Sequence, residues 1–267
     1  MSPLAFDEPL SLFQLRGQTV LVTGASGALG RAVSLALGAL GANLFLVSGN
    51  ADALETVAGE ARERGGDVRT LARRPDGEED VHAIFGAAIE AFGRVDSVFV
   101  ASGYNDPDQI HDMTLQQWEK VMDANVRAPW LLAKSFGDHV AERGGKGKLL
   151  LVSSVRGRFG SPAGYTAYCT SKGATDSLTR SLASEWGPRG INVNAIAPTV
   201  FRSALTSWIF EDTEAGRASR ERNLSRIPLK RLGEPEDFVG VAIYLLSAAS
   251  DFMTGQILYL DGGYSAV

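Results

Sequence analysis

Tyr168 and Lys172 lie four residues apart in a stretch that reads as a helix, so both side chains project from one face of it. A phenol with a pKa of about 10 is a poor acid–base catalyst at neutral pH. A fixed ammonium group beside it favours the phenolate and lowers that pKa. The pair therefore predicts a group that donates a proton to a carbonyl oxygen or removes one from an alcohol.

Three further polar residues accompany this pair. Ser153 and Ser154 close an apolar run that reads as a strand, shortly before Tyr168 in the chain. A hydroxyl at the carboxyl end of a parallel strand faces the crevice where open α/β sheets bind ligands. Asn125 lies in the middle of a helical stretch. Asparagine has a poor helix propensity, so its presence there suggests a specific structural or functional role.

A glycine-rich turn, Thr23–Gly30, follows the first apolar run and opens the first helical stretch. Free backbone N–H groups and a helix dipole stabilise the negative charge of a cofactor pyrophosphate, provided that no side chain blocks its approach. Glycines and small residues supply that clearance. The turn therefore predicts a dinucleotide site; a tight turn without a ligand is the alternative.

The residues that follow the second apolar run should select the cofactor. An acidic side chain there binds the ribose hydroxyls of NAD, whereas a basic one accepts the 2′-phosphate of NADP. The chain has Ser48, Gly49 and Asn50, which are neither acidic nor basic, and Arg73 and Arg74 follow the third run. We therefore expect NAD(P), with a slight preference for NADP.

Arg156 and Arg158 follow Ser154 within four residues. Two guanidinium groups beside a carbonyl site can clamp a carboxylate, phosphate or sulfonate through paired hydrogen bonds. Solvated loop arginines are the alternative interpretation.

The elements that must position these side chains alternate along the chain. The predicted strands are unbroken apolar runs, typical of strands covered on both faces. Their alternation with helices predicts an α/β fold: a single Rossmann-type, doubly wound parallel sheet of about seven strands with helices on both faces. The predicted strands are Thr19–Thr23, Asn43–Val47, Val68–Leu71, Ser97–Ala101, Lys148–Ser153, Asn192–Ile196 and Ile257–Leu260, and the predicted helices are Leu29–Leu40, Ala51–Arg64, Glu78–Phe92, Leu115–Arg143, Tyr165–Trp186 and Glu236–Ala248.

No linker divides the chain, so residues 1–267 are expected to form one dinucleotide-binding and catalytic domain. Residues 199–233 depart from the alternation, because they form a long, polar and charged connection between two strand–helix units. A connection of this length in a compact domain is usually functional or disordered. We interpret it as a substrate lid.

Composition excludes several classes of function. The 267 residues include 26 basic and 31 acidic side chains, a net charge of −5 that argues against a nucleic-acid surface. No apolar run is long enough to span a membrane, and the basic start and apolar run of a secretory signal are missing, so we expect a cytoplasmic protein. A single cysteine, Cys169, cannot form an internal disulfide, and no cysteine–histidine cluster suggests a metal site.

Several motifs occur together in this chain. They are Thr23–Gly30, Asn125, Ser154, Tyr168-x-x-x-Lys172, Asn194-Ala195-Ile196-Ala197-Pro198, Gly233-Glu234-Pro235-Glu236-Asp237, Thr254-Gly255-Gln256 and Asp261-Gly262-Gly263. From about residue 15 to the C-terminus, this set resembles the short-chain dehydrogenase/reductase family. The resemblance implies nicotinamide-dependent, reversible carbonyl/alcohol chemistry and a homotetramer, with a dimer face made from the helices 115–143 and 165–186.

The resemblance also implies roles for particular residues. Tyr168 would be the general acid/base, Ser154 would orient the substrate oxygen, and Lys172 would depress the tyrosine pKa and hold the nicotinamide ribose. The side-chain amide of Asn125 would help a water-mediated proton relay to reach Lys172. With Tyr168 and Lys172, the implied cofactor contacts are Gly24, Ser26, Gly27, Ala28, Leu29, Gly30, Ser48, Asn50, Arg74, Ala101, Gly103, Pro198, Val200 and Ser203; the implied substrate contacts are Ser154, Arg156, Arg158 and Tyr168.

The departures from the family pattern concentrate on the adenosine side. Val100 and Ala101 stand where the family has two asparagines, so hydrogen bonds that brace the central sheet are expected to be lost. The other departures are Ala28 for a glycine, Arg74 for an acidic residue, Thr199 for a glycine and Ser203 for a threonine.

Three functions remain open from the sequence. The first is an NAD(P)-dependent oxidoreductase that interconverts a secondary alcohol and a ketone on a small polar molecule, such as a sugar, polyol or sugar acid. The second is a 3-oxoacyl-thioester reductase whose phosphopantetheine carrier docks on Arg127, Arg156 and Arg158. The third is a weakly catalytic nucleotide-sensing scaffold.

Overall fold

The computed structural model describes residues 4–267, and the side chains of residues 6–267. Seven parallel strands form one sheet in the order β3-β2-β1-β4-β5-β6-β7. The predicted Rossmann-type fold is therefore confirmed. The strands are β1 Thr19–Thr23, β2 Asn43–Ser48, β3 Asp67–Ala72, β4 Ser97–Val100, β5 Gly147–Val152, β6 Ile191–Pro198 and β7 Ile257–Leu260.

Helices cover both faces of this sheet. Their bounds agree with the sequence prediction to within a few residues, apart from an interruption after residue 122 and three short or polar helices that the sequence did not predict. The helices are α1 Leu4–Asp7, α2 Ala28–Ala39, α3 Ala51–Glu63, α4 Glu78–Phe92, α5 Leu115–Met122, α6 Ala128–Arg143, α7 Thr166–Trp186, α8 Ser207–Phe210, α9 Glu214–Arg226 and α10 Pro235–Leu246.

Each face of the sheet has its own hydrophobic core. On one face Leu21 of β1 packs with apolar residues of α4, α6 and α7, among them Phe136 and Trp186. On the other face Val20 and Val22 pack with residues of α2, α3 and α10. All five residues of β1 are buried, which explains why the central strands are continuous apolar runs.

The predicted helix 115–143 is interrupted by a π-helical turn at Asp123–Arg127, so the prediction of one continuous helix was wrong. Ala128 donates its N–H to the carbonyl of Asp123, five residues earlier. Pro129 has no N–H to donate to the carbonyl of Asn125, four residues earlier, and that carbonyl accepts a hydrogen bond from the Thr175 hydroxyl at 3.4 Å instead. Such π turns occur frequently at functional sites.

Residues 199–233 form a folded excursion that begins and ends at the carboxyl edge of β6. Arg202 donates its N–H to the carbonyl of Gly233 at 2.9 Å, and Gly233 donates to the carbonyl of Val200 at 3.0 Å, so the two ends of the segment are joined. Between them lie α8 and α9. Ile209 and Ile227 from this segment are buried with Val155 and Tyr264 in a third apolar cluster.

No helix within residues 4–267 is long and apolar enough to cross a membrane.

Candidate active site

The glycine-rich turn lies at the carboxyl end of β1, and its backbone has no room for side chains. Gly24 has a φ of +68°, and a Cβ atom there would lie 2.5 Å from the backbone nitrogen of Ser102. A Cβ atom on Gly30 would overlap the carbonyl oxygen of Gly24. Both positions therefore require glycine.

This turn leaves the N-terminus of α2 open. Gly27 is the N-cap residue and provides no side-chain cap, and Ala28 and Leu29 begin the helix. The first N–H groups of a helix have no intrahelical partner and attract negative charge. These residues fit a pyrophosphate, as the sequence predicted.

At the adenosine end, three of the predicted cofactor contacts form hydrogen bonds within the protein. The hydroxyls of Ser26 and Ser48 share a hydrogen bond of 2.5 Å, which links the glycine turn to the end of β2. The Oδ1 atom of Asn50 accepts the N–H of Ala53 at 3.1 Å and so caps α3. The side-chain oxygen of Asn50 therefore stabilises a helix, and its role as a cofactor contact stays a prediction.

Arg74 lies across this end of the crevice. Its Nε atom is 2.6 Å from the position that a Cβ atom on Gly49 would occupy, so the guanidinium stem covers the turn after β2. Within residues 4–267 Arg74 forms no ion pair, whereas its neighbour Arg73 pairs with Asp80 at 3.0 Å. The absence of a Gly49 side chain makes this position of Arg74 possible.

The end of β4 is braced in a way that the sequence did not predict. The hydroxyls of Thr23 and Ser102 lie 3.1 Å apart and hydrogen-bond, and Ala101 donates its N–H to the carbonyl of Thr23 at 3.0 Å. The expected loss of bracing hydrogen bonds is therefore corrected, because Ser102 supplies one. Gly103 lies against Asn125 and Lys172, with its hypothetical Cβ 3.8 Å from the Lys172 Nζ atom.

Tyr168 and Lys172 project from the first turns of α7 into the crevice at the end of β5. Lys172 is buried, and its Nζ atom lies 5.5 Å from the centre of the Tyr168 ring. The ammonium donates to the carbonyl of Val152, the last residue of β5, at 2.8 Å. The predicted pair is therefore brought together at the carboxyl edge of the sheet.

The two serines after β5 have different partners. Ser153 donates to the Oδ1 atom of Asp176 at 2.5 Å. A hydrogen bond between the side chains of Ser154 and Tyr168 acts against the burial that raises the tyrosine pKa. Of the two hydroxyls, only that of Ser154 is directed to Tyr168.

Burial dominates the ionisation of both members of the pair. It raises the pKa of Tyr168 to about 12, while the Ser154 hydrogen bond and the charge of Arg156 act in the opposite direction. Burial also lowers the pKa of Lys172 to about 8, although the Asp176 carboxylate raises it. In this geometry the ammonium is bonded to Val152, and desolvation of the phenolate dominates the tyrosine pKa; the implied effect of Lys172 on that pKa stays a prediction.

Asn125 lies in the π turn, and both polar atoms of its side-chain amide form hydrogen bonds within the protein. Its Oδ1 atom accepts the N–H of Tyr104 at 2.8 Å, and its Nδ2 atom donates to the carbonyl of Tyr104 at 2.8 Å and to the Ser171 hydroxyl at 3.0 Å. The predicted relay through this amide stays a prediction. The amide fixes the loop after β4 against α7, which explains an asparagine in this helical stretch.

Three predicted cofactor contacts lie at the end of β6 or shortly after it. The carbonyl of Pro198 accepts the Ser154 hydroxyl at 3.4 Å, so the end of β6 lies beside the candidate catalytic residues. Val200 is half-buried, and its carbonyl accepts the N–H of Gly233 where the two ends of the excursion meet. The hydroxyl of Ser203 lies 3.0 Å from that of Thr206 and hydrogen-bonds to it, which caps a short 3₁₀ turn.

The two arginines after Ser154 do not act together. Arg156 is half-buried and donates to the Tyr264 hydroxyl at 3.4 Å, and its charge lowers the pKa of Tyr168. Arg158 lies over the rings of Phe159 and Tyr259; burial raises the pKa of Tyr259, and the Arg158 charge acts against that rise. The two guanidinium groups therefore have different neighbours, and the two-arginine clamp stays a prediction.

The sequence interpretation missed three residues near this site. Asp176 lies one helical turn after Lys172, and this spacing could have identified it. Tyr264 and Arg226 meet Arg156 only through the fold: the Arg226 guanidinium lies 4.2 Å from the centre of the Tyr264 ring. Nothing in their sequence spacing indicates this contact.

Comparisons with known proteins cover nearly the whole chain. A family model described as "Enoyl-(Acyl carrier protein) reductase" matches residues 24–265. An "Uncharacterized oxidoreductase" of Mycobacterium tuberculosis is 50% identical over 258 residues, which are 96% of this chain and 94% of that protein. Gluconate 5-dehydrogenase of Gluconobacter oxydans is 30% identical over 252 residues, 94% of this chain and 96% of that protein.

Solved structures show the same extent of similarity. A structure from Agrobacterium tumefaciens that contains bound NADP has a TM-score of 0.88 and 30% sequence identity, and the match covers 96% of this chain and 99% of that one. The similarity therefore includes both the nucleotide end and the catalytic end of the crevice.

Proposed function

The chain belongs to the short-chain dehydrogenase/reductase family of oxidoreductases, which act on alcohols and ketones, and from this premise we propose that it interconverts a secondary alcohol and a ketone on a small polar substrate. The observation that carries the proposal is the convergence of the Tyr168 phenol, the Ser154 hydroxyl and the buried Lys172 ammonium at the carboxyl edge of the sheet. The glycine-rich turn opens at the same edge.

The residues present fit a nicotinamide dinucleotide. The open N-terminus of α2 and the glycines at positions 24 and 30 would hold its pyrophosphate. Ser48 and Arg74 would meet the adenosine ribose, and Lys172 would meet the nicotinamide ribose. When bound, such a group supplies or accepts the hydride.

Tyr168 is the proposed general acid and base. Because its pKa is raised to about 12, the phenol is protonated at neutral pH and can donate to a carbonyl oxygen during ketone reduction. In alcohol oxidation the same oxygen must accept a proton, and the Ser154 hydrogen bond and the Arg156 charge both favour the phenolate. Ser154 would also donate to the substrate oxygen and hold it beside the phenol.

We propose NADP as the preferred cofactor because of Arg74. Its guanidinium stem covers Gly49 beside Ser48, and it forms no ion pair with any described residue. No acidic residue in the turn after β2 would repel a 2′-phosphate. A guanidinium group binds phosphate through paired hydrogen bonds, and in Rossmann-type folds the ribose 2′ group lies beside this turn.

Replacement of Arg74 tests this preference. R74Q should weaken NADPH binding by about tenfold or more and leave NADH binding nearly unchanged, because only the phosphate loses a charge-assisted hydrogen bond. R73Q is the matched control, since Arg73 already pairs with Asp80. Fluorescence titration with both dinucleotides measures the effect; equal losses for NADH and NADPH would contradict it.

For the substrate we propose a sugar, polyol or sugar acid. The similarity to gluconate 5-dehydrogenase supports this class. The alternative, a 3-oxoacyl-thioester reductase, is supported by the description of the matching family model. However, the Arg127 proposed to dock the carrier pairs with Asp123 at 2.8 Å and donates to the carbonyl of Asp76. A sensing scaffold would not need the catalytic residues that converge here.

The proposal extends to the organisation of the protein. Residues 199–233 serve as a lid on the single domain, because they leave and re-enter the fold beside Pro198 and cover the catalytic edge with the apolar cluster around Tyr264. We also propose a cytoplasmic homotetramer in which α5, α6 and α7 form a dimer face.

A turnover panel tests the proposed function. Nicotinamide absorbance is followed with polyols, aldoses, aldonates, hydroxysteroids and 3-oxoacyl thioesters, each with both dinucleotides. The proposal predicts turnover of a secondary alcohol in the polyol, aldose or aldonate group. Exclusive turnover of oxoacyl thioesters would support the alternative, and dinucleotide binding without turnover of any member would support a scaffold.

A further inference from the structure

Two arginines from distant parts of the chain meet on one aromatic ring beside the catalytic tyrosine. Arg156 follows the catalytic serine, and its guanidinium lies 5.8 Å from the centre of the Tyr264 ring. Arg226 is the last residue of α9 in the proposed lid, and its guanidinium lies 4.2 Å from the same centre. Tyr264 itself is buried.

Neither guanidinium group has its charge neutralised. Arg156 donates to the carbonyl of Gly160 at 2.7 Å and to the Tyr264 hydroxyl, both of which are uncharged. Among residues 4–267, no carboxylate pairs with Arg156 or Arg226, although thirteen other ion pairs occur, most of them at the surface. An aromatic face attracts a cation only weakly and does not cancel its charge. Two uncompensated cations in contact with one ring concentrate positive charge there, and this charge favours an anion.

Their position connects this charge to the reaction centre. The backbone N–H of Arg156 donates to the Ser154 hydroxyl oxygen at 3.1 Å, which fixes the arginine relative to the catalytic serine. Its charge also acts on Tyr168, against the burial that raises the pKa of that phenol. An anion bound at Arg156 would therefore lie close to the reaction centre, as expected for an anionic group of the substrate itself.

We propose that Arg156 and Arg226 bind the carboxylate of the substrate, which makes this enzyme specific for a small hydroxy acid or oxo acid. The inference rests on the proposed function and narrows it from polar alcohols in general to those with a carboxylate. Because Arg226 belongs to the lid helix, the carboxylate also ties the lid to the catalytic loop. A guanidinium group suits this task through its paired donors.

The test compares aldonates of five and six carbons with the matching neutral polyols, in titration calorimetry with the cofactor-saturated protein. Wild type should bind at least one aldonate about tenfold or more tightly than its polyol, as expected for charge-assisted hydrogen bonds. R156Q and R226Q should each remove that difference. R222Q is the matched control, one turn earlier on α9 and exposed, and should retain it.

Two results overturn the inference. The first is that the wild-type protein binds aldonates no more tightly than polyols. The second is that R222Q loses as much aldonate affinity as R226Q, which would indicate a general effect of charge. Parallel kinetics separate this failure from failure of the proposed function. Equal kcat/KM values for neutral and anionic alcohols would contradict the carboxylate subsite but agree with the proposed oxidoreductase activity. No turnover of any alcohol or ketone would contradict both proposals.

Discussion

At the residue scale, a small number of buried polar contacts sets the ionisation of the catalytic pair. Asp176 lies beneath the site, accepts the Ser153 hydroxyl, and raises the pKa of Lys172 against the stronger effect of burial. It also leaves no room for a side chain at Gly157, whose Cβ atom would lie 2.6 Å from an Asp176 carboxylate oxygen. Asp176 is therefore a positioning residue for the Lys172 ammonium.

This role predicts a change in the pH dependence of D176N. The pKa of Lys172 is about 8, so ketone reduction that needs the ammonium declines as the pH rises through that value. Loss of the carboxylate charge lowers the lysine pKa further, so the decline of kcat/KM should move to lower pH. An asparagine oxygen can still accept the Ser153 hydroxyl, which preserves the packing.

The measurement is the pH profile of kcat/KM for ketone reduction. D138N on α6 is the control, because Asp138 is exposed and pairs only with Lys134, at 3.6 Å. An alkaline decline at the same pH in D176N and wild type would contradict the assigned role.

The candidate catalytic residues could be predicted from the sequence because their types and spacing suggest the chemistry. Tyr168 and Lys172 share a helical face by spacing alone, and Ser154 follows a recognisable strand. In contrast, the role of Asn125 depends on the loop after β4, and the contact of Arg226 with Tyr264 depends on how the excursion folds back. Such contacts are made across the fold, and local patterns do not encode them.

At the element scale, the glycine turn and the π turn shape the two ends of the crevice. The glycine turn was predictable, because a run of glycines and small residues between a strand and a helix is typical of a phosphate-binding turn. The π turn was not predicted from the favourable helix pattern of residues 115–143. Pro129, which cannot donate an N–H to the carbonyl of Asn125, is the signal that could have indicated it.

The crowding at Gly30 makes the glycine turn testable. G30A places a Cβ atom against the carbonyl oxygen of Gly24, so the turn must shift and the amides at the start of α2 no longer face the pyrophosphate. We expect a loss of dinucleotide affinity of about tenfold or more, since several charge-assisted hydrogen bonds weaken together. Fluorescence titration measures the loss.

G59A is the matched control for this variant. Gly59 lies in α3, and a Cβ atom there meets no neighbour within 4 Å. The substitution should stabilise the protein by up to about 1 kcal/mol through helix propensity and leave dinucleotide binding unchanged. Wild-type cofactor affinity in G30A would contradict the proposed role of the turn.

At the scale of the whole molecule, the seven-stranded sheet brings chemistry from distant parts of the chain to one edge. The glycine turn follows β1, the serines follow β5, and the lid leaves after β6. Alternation of strands and helices was sufficient to predict this sheet, because unbroken apolar runs require cover on both faces. The two lid helices were missed, since α9 is polar and gives little hydrophobic periodicity.

The proposed tetramer predicts a change of mass on substitution at the α6 face. Trp130 is 47% exposed there, and W130E places a charge in the proposed interface, where burial without a partner is costly. Sedimentation equilibrium should show a smaller assembly than wild type. W208E is the control, because Trp208 is similarly exposed, at 42%, on the lid. An unchanged mass in W130E would contradict this interface.

The most direct test of the central claim is the turnover of Y168F with the dinucleotide affinity measured on the same sample. Loss of the phenol hydroxyl should lower kcat by about 10² or more, as expected when general acid–base catalysis is lost, while dinucleotide binding stays within about twofold. Y165F is the control, since the Tyr165 ring lies 6.1 Å from that of Tyr168. It should retain turnover. Wild-type turnover in Y168F would contradict the assignment of Tyr168 as the proton-transfer group.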